Sequence, residues 1–427
     1  MISNLKSKLI APENRTSFIL VTALFLFWGI PNNLNDILIK QFMKSFELSR
    51  LEAGLIQSAF YLGYFLFAVP AALIMRKYSY KVGLIIGMFF YSIGTFLFWP
   101  AAHSGEYLFF LLALFVIASG LSFLETGANP FIAGLGSPES SERRLNFSQA
   151  FNPFGAILGV LIGTIFIFSG IEHDQAKVEM MKQTGEYSAY LESETMRVVR
   201  PYMILGVIIF LWALLIIRTK FPKITSEEKN NENKGNPREL FKQRHFLTGV
   251  LTQFCYVGAQ VGTWSYFIQY SQDYTGIAEK SAGLFLTGTL VAFLIGRFSA
   301  TVIMKYIKPG KLMGIYAIIN ILLVSIAVIF PGWLGVWSIF LSSFFMSLMF
   351  PTIFALGIKG LGANTKIAGS VLVMAIIGGG AFTPLMGLIA TKSMAYAMLI
   401  PLGCYCIITL YAFWWSNPKS LPGYNIQ

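Results

Sequence analysis

Two carboxylates sit where carboxylates are costly. Asp36 and Glu125 fall inside long apolar stretches, at 17–39 and 107–132. A charged side chain at mid-membrane costs roughly 2.5–3.5 kcal/mol even on insertion scales, so two such acids ask for a chemical reason. Protonation supplies one: an acid that is neutral when loaded and charged when empty couples proton flow to the movement of a cargo. Glu125 lies well inside Ile117 to Phe131, with no basic residue at helical spacing. Lys40 follows Asp36 by one helical turn, so a plain helix-end role near the outer water stays open for that residue. Both are read as proton-coupling residues, and no nucleophile motif or catalytic residue accompanies them. The chain is not expected to be an enzyme.

The neighbours of the two acids are polar. Trp28, Pro31, Asn32, Asn33 and Asn35 precede Asp36. Pro31 removes a backbone hydrogen bond and can kink its helix, exposing carbonyls. Lipid cannot satisfy the asparagines, which should therefore face the interior. Thr126, Asn129 and Pro130 follow Glu125, and the next apolar stretch adds Gln149 and Asn152. Interhelical hydrogen bonding is the plainer reading of any one of these amides. The second half has no deep acid. It offers Tyr256, Gln260, Trp264 and Tyr266, then Phe350, Pro351 and Thr352. Polar edges over aromatic faces suit a sugar, with hydroxyls at its rim and C–H groups on its faces; packing or interface anchoring is the alternative for each aromatic. Gly378, Gly379 and Gly380 with Pro384 mark a flexible or closely packed helix, part of a gate. Arg297 lies roughly 12 Å of helix from the inner loop, which favours snorkelling or an inner gate contact over substrate binding.

The elements that must position these residues are membrane helices. The 427 residues are 55% hydrophobic and 12% charged, about half the charged fraction of a soluble domain. The apolar residues come in blocks about 20 long, the thickness of a hydrocarbon core at helical rise. An all-α membrane protein follows, with spans near 17–39, 51–74, 83–101, 107–132, 147–169 and 199–218, then 245–270, 281–304, 311–330, 333–357, 367–391 and 394–415. Ser17 to Ile39 is too long for a cleaved signal and reads as the first span. A formal charge of +12 might suggest nucleic acid, but the basic residues sit in short loops with no continuous basic face. Cys255, Cys404 and Cys406 lie in apolar blocks as free thiols, and His103, His173 and His245 are isolated, so no metal site is expected.

Segments taken as inner carry roughly three times the Lys and Arg of the outer ones, which places both termini in the cytoplasm. The only long inner segment has the core SEEKNNENKGNPRE, a linker composition. It divides the chain into a bundle at 1–217, a linker at 218–244 and a bundle at 245–427. The outer loop 170–198 is acidic and is left without assigned structure. The halves echo each other: Ala53-Gly54-Leu55 and Ile74-Met75-Arg76 match Ala282-Gly283-Leu284 and Ile303-Met304-Lys305 at one spacing. Pro130 to Gly136 matches Pro351 to Gly357 in the same order. Twelve transmembrane helices in two six-helix halves are the expected architecture.

The stretches NNLNDILIKQF, AGLIQSAFYLGYF, SYKVGLIIG, LETGANPF, ESSERRLNFSQAFN, QFCYVGAQ, FPTIFALGIK and IIGGG run through nearly the whole chain. In them the sequence resembles the fucose–galactose–glucose branch of the major facilitators. The resemblance implies the major facilitator fold, a central site between the halves and alternating access. It implies proton coupling at Asp36 and Glu125, both also touching sugar, and cavity roles for Trp28, Asn33, Gln149 and Asn152. Tyr256, Gln260 and Phe350 complete the expected sugar site from the second half. The departures are Pro31, Gly127, a degenerate inner loop motif at Arg76, and Phe350 where the fucose-carrying member has a tyrosine. The expected function is proton-coupled sugar uptake, L-fucose first, with glucose, galactose or N-acetylglucosamine as alternatives. A drug–proton exporter is disfavoured because Asn152 to Gly159 lacks the antiporter glycine–proline–glycine pattern. A sugar sensor is disfavoured by the short tail after Trp415. The expected partners are the sugar, the proton as coupling ion and membrane lipid, with no cofactor and no nucleic acid; the protein is read as a monomer in the bacterial inner membrane.

Overall fold

The computed structural model describes residues 12–136, 144, 147–171, 173–222, 240–304, 306–359, 361 and 364–416, and these form helices and short turns without a strand. Among the described residues, eleven helices are long and apolar enough to cross a membrane. In the first half they are Pro12–Ser45, Arg50–Met75, Tyr80–Ser104, Tyr107–Ile132, Phe147–Ile167 and Tyr187–Arg218; in the second, Glu279–Ala300, Pro309–Ile329, Trp333–Ile358, Ala368–Ala390 and Met394–Trp415. They are spans 1–6 and 8–12. Span 7, Arg244–Ser265, has the length, but Thr248, Thr252, Gln253, Gln260 and Thr263 make it too polar for the same measure. The linker core lies outside the described residues. The outer loop left unassigned in sequence holds two helices, Gln175–Thr184 and Tyr187–Met196.

The chain divides into two compact units, Met1–Asn231 with Ile277–Leu290, and Glu232–Gly276 with Val291–Gln427. The outer end of span 8 thus belongs with the first unit, where Gly283 lies against the Thr164 side chain of span 5. The remainder of span 8 belongs with the second.

In the first unit, local chemistry sets the helix limits. Ser49 and Glu52 start span 2 with a reciprocal cap: Ser49 N donates to Glu52 Oε2 at 2.8 Å, and Glu52 N to Ser49 Oγ at 3.3 Å. Span 1 runs unbroken from Arg15 to Ser45 through Pro31. The expected exposed carbonyl does arise, but it is not left open. Proline at position 31 has no N–H for the carbonyl of Phe27, and Tyr91 Oη donates to that oxygen at 2.9 Å.

Spans 1 and 5 meet backbone to backbone. A Cβ on Gly29 would lie 3.1 Å from both Ala156 N and Gly155 Cα, and one on Gly159 only 3.1 Å from the Ile30 carbonyl carbon. Small residues allow this approach, and dispersion and interhelical hydrogen bonds then hold it. Thr22 and Ser148 share a hydroxyl hydrogen bond of 2.7 Å, and Asn152 Nδ2 donates to Phe25 O at 3.3 Å.

The outer end of span 1 is stapled to the second outer helix and to the end of span 5. Glu194, 2% exposed, pairs with Lys44 at 3.0 Å and Arg197 at 3.4 Å. Gln41 Nε2 donates to its Oε2 at 3.1 Å and to its backbone oxygen at 2.9 Å. Lys44 also donates to Ser169 Oγ and the Ile171 carbonyl, at 3.0 and 2.9 Å. A buried carboxylate is tolerated when so surrounded by donors.

In the second unit span 11 is interrupted by a short 3₁₀ turn, Ala375–Ile377, before Gly378–Ala390. The glycine run is a packing device: a Cβ on Gly378 would lie 3.1 Å from the Phe254 Cα of span 7. Cys255 and Cys404, both buried, adjoin each other between spans 7 and 12, while Cys406 is exposed. All three are free thiols.

Candidate proton and sugar site

Asp36 is 3% exposed on the inner face of span 1. Gln57 of span 2, fully buried, donates from Nε2 to Asp36 Oδ1 at 3.0 Å. One turn earlier on span 1, Asn32 Oδ1 accepts from Tyr64 Oη at 3.3 Å. Asn33 turns inward as expected and donates to its own helix, Nδ2 to Gly29 O at 3.2 Å. Trp28 packs its ring 4.3 Å from that of Phe25, and among the described residues its indole N–H has no hydrogen-bond partner. Asn35 is fully buried with neither amide atom paired.

Glu125 is half-buried on span 4. No hydrogen bond reaches its carboxylate among the described residues; its backbone oxygen accepts from Asn129 Nδ2 at 3.1 Å. Asn129 Oδ1 in turn accepts from Gln149 Nε2 at 3.1 Å, so Glu125, Asn129 and Gln149 form one polar run from span 4 to the start of span 5. Tyr61 of span 2 is buried beside Tyr64, with ring centroids 6.2 Å apart. Span 4 bonds span 2 here through Ser122 Oγ, which donates to Tyr64 O at 3.3 Å. The first unit therefore gathers Asp36, Glu125, Asn33, Gln149, Asn152 and Trp28 around the faces of spans 1, 2, 4 and 5.

The second unit holds the other three expected residues apart from one another in role. Tyr256 is fully buried, and its hydroxyl donates to Met346 O at 3.1 Å. Phe350 lies edge-on to that ring, 6.3 Å between centroids. Gln260 is half-buried, and among the described residues its amide is unpaired, which leaves it open to a ligand. Trp264 Nε1 donates to Ser343 Oγ at 3.1 Å. Arg297 does not snorkel to the interface. Its Nε donates to Ser347 O at 3.3 Å, and its guanidinium lies 4.9 Å from the Phe293 ring. The ring face and the carbonyl of a neighbouring helix outcompete the distant water.

Two bundles of membrane helices, the first with a buried acid on span 1 and a half-buried one on span 4, narrow the families this chain fits. Residues 17–369 match the family model described as Major Facilitator Superfamily. The chain belongs to this superfamily. Among its relatives, the L-fucose-proton symporter of Escherichia coli (strain K12) is 45% identical over 402 residues, covering 92% of each chain. The glucose/galactose transporter of Brucella abortus biovar 1 is 33% identical over 394 residues, again covering 92% of each. The crystal structure of the E. coli fucose:proton symporter aligns with a TM-score of 0.71 at 44% identity, covering 93% of this chain and 98% of that one.

For a major facilitator of this branch, reading the sequence missed the contribution of span 2. Gln57, Tyr61 and Tyr64 recur at helical spacing within an apolar helix. That spacing was the available signal, but aromatics at such intervals usually mean packing.

Proposed function

We propose that this major facilitator takes up L-fucose together with protons by alternating access in the bacterial inner membrane. The observation that carries the reading is the pair Asp36, buried, and Glu125, half-buried, on one bundle, bordered by the amides of Gln57, Asn129 and Gln149. Such groups can take up a proton and hold sugar hydroxyls without water's help. The relatives' names support fucose over other cargoes, since the more similar of the two is called an L-fucose-proton symporter.

In this reading Asp36 and Glu125 carry the proton. Trp28, Asn33, Gln149 and Asn152 are the sugar-binding residues of the first bundle, and Gln260, Phe350 and Tyr256 those of the second. The halves at 1–217 and 245–427 rock about the linker at 218–244, with both termini cytoplasmic, in a chain that works as a monomer surrounded by lipid. The coupling ion is the proton, and no cofactor takes part.

A second reading is symport of glucose or galactose, favoured by the name of the Brucella relative and by the missing hydroxyl at Phe350. Uptake of labelled L-fucose, glucose, galactose and N-acetylglucosamine into vesicles, with and without an inward proton gradient, tests both. L-fucose accumulation and fucose-evoked alkalinisation are expected. Accumulation of glucose or galactose without fucose would replace the first reading by the second.

A further inference from the structure

Asp36 is met by a neutral partner. Gln57 Nε2 of span 2 donates to Asp36 Oδ1 at 3.0 Å, and the two residues are 0% and 3% exposed. The helix that presents Gln57 is fixed on two sides. Toward span 1, Tyr64 Oη donates to Asn32 Oδ1 at 3.3 Å, one turn of span 1 before Asp36. Toward span 4, a Cβ on Gly63 would stand 2.9 Å from both Ala118 Cβ and Ser119 N, and Ser122 Oγ donates to Tyr64 O at 3.3 Å. Gln57 is thus kept in register with Asp36 by contacts that do not involve its own side chain. Among the described residues no donor reaches the Glu125 carboxylate, so the arrangement is particular to Asp36.

The choice of an amide matters chemically. An ionised carboxylate only accepts hydrogen bonds, whereas a protonated carboxyl also donates one. A lysine or arginine here would answer the first state alone and hold the acid in it. An apolar side chain would leave a buried anion short of a donor. An amide carries a donor and an acceptor on one rotatable plane, without charge. We propose that Gln57 positions Asp36 for proton coupling, holding its carboxyl in one place through both protonation states. Nε2–H donates to the carboxylate, as in the structure. Once Asp36 takes a proton, the amide turns about its last torsion and Oε1 accepts the new O–H. No covalent bond changes on Gln57; one hydrogen bond reverses direction. Without the amide the charged, empty form of Asp36 is held less well, so proton release slows while the loaded form still passes. The inference rests on the reading of Asp36 as a proton carrier and adds the residue that keeps it in place.

The test compares the parent chain, Gln57→Met and Gln57→Asn in reconstituted vesicles, each read by L-fucose counterflow exchange and by fucose-evoked proton uptake. Exchange without a gradient moves no net proton and reports folding and sugar binding. Methionine keeps the length of the side chain and removes the amide; asparagine keeps the amide and draws it back by one methylene. For both we expect exchange within about three-fold of the parent, with sugar-evoked proton uptake lowered about ten-fold, roughly 1.4 kcal/mol in the barrier. A group that only packs would lower exchange and proton uptake together. Proton uptake at the parent level in either variant overturns the inference. So does an equal fall of both readouts in Gln57→Asn, the milder change, which decides the matter if Gln57→Met does not fold. Absence of fucose-evoked proton uptake in the parent overturns the proposed function itself, and is seen before any variant is made, so the two failures are distinct.

Discussion

At the scale of single residues the two acids differ in what holds them. Asp36 Oδ1 is gripped by the Gln57 amide, whereas Glu125 offers a half-buried carboxylate without a donor among the described residues. Glu125→Gln imitates the loaded acid and cannot release its proton. It is expected to keep fucose counterflow within a few-fold of the parent while gradient-driven accumulation falls at least about ten-fold; full accumulation would remove Glu125 from coupling. Both acids were legible in the sequence because the membrane penalises charge so strongly that each one stands out. Gln57, Tyr61 and Tyr64 were not, because an amide or phenol in an apolar helix carries little penalty and packing explains it equally well. Of the two roles expected for Arg297, snorkelling fails for a related reason: its distance from the loop was visible, but the Phe293 ring and the Ser347 carbonyl that receive it were not.

At the scale of elements, two features separate packing from charge. Spans 1 and 5 touch through Gly29, Gly155 and Gly159, so added side-chain volume must push whole helices apart. Gly155→Leu should lower stability by about 1–3 kcal/mol, seen as an earlier melting transition in detergent, whereas Gly105→Ala, in a turn with open space around it, should test only backbone strain at positive φ. The outer staple behaves differently. Lys44→Met removes one partner of the buried Glu194 while Arg197 and Gln41 remain. A loss of about 1–3 kcal/mol is expected, together with faster amide hydrogen exchange confined to Gln175–Met196. Exchange unchanged in that segment would show that the helices are held by other contacts. These two outer helices escaped the sequence reading because short, polar segments lack the long apolar period that marks a span.

At the scale of the whole molecule, the approximate places of the spans followed from apolar length, while their ends did not: span 1, expected at 17–39, runs from Pro12 to Ser45. Span 7 shows what composition leaves out. Its row of threonines and glutamines made it stand apart from the other eleven, yet it is a regular helix with fifteen of its residues buried. Burial inside protein replaces the lipid that such a surface would tolerate poorly. That difference has a consequence for how the chain is made. A ribosome extruding span 7 presents the membrane's insertion channel with a segment that partitions weakly into lipid by itself. It should stay unintegrated, or enter inefficiently, until span 8 emerges to shield it. Nascent chains halted after residue 276 should therefore leave span 7 accessible to an aqueous protease, while chains extended to residue 304 should protect it. The same polarity that serves the finished transporter thus imposes an order on its birth.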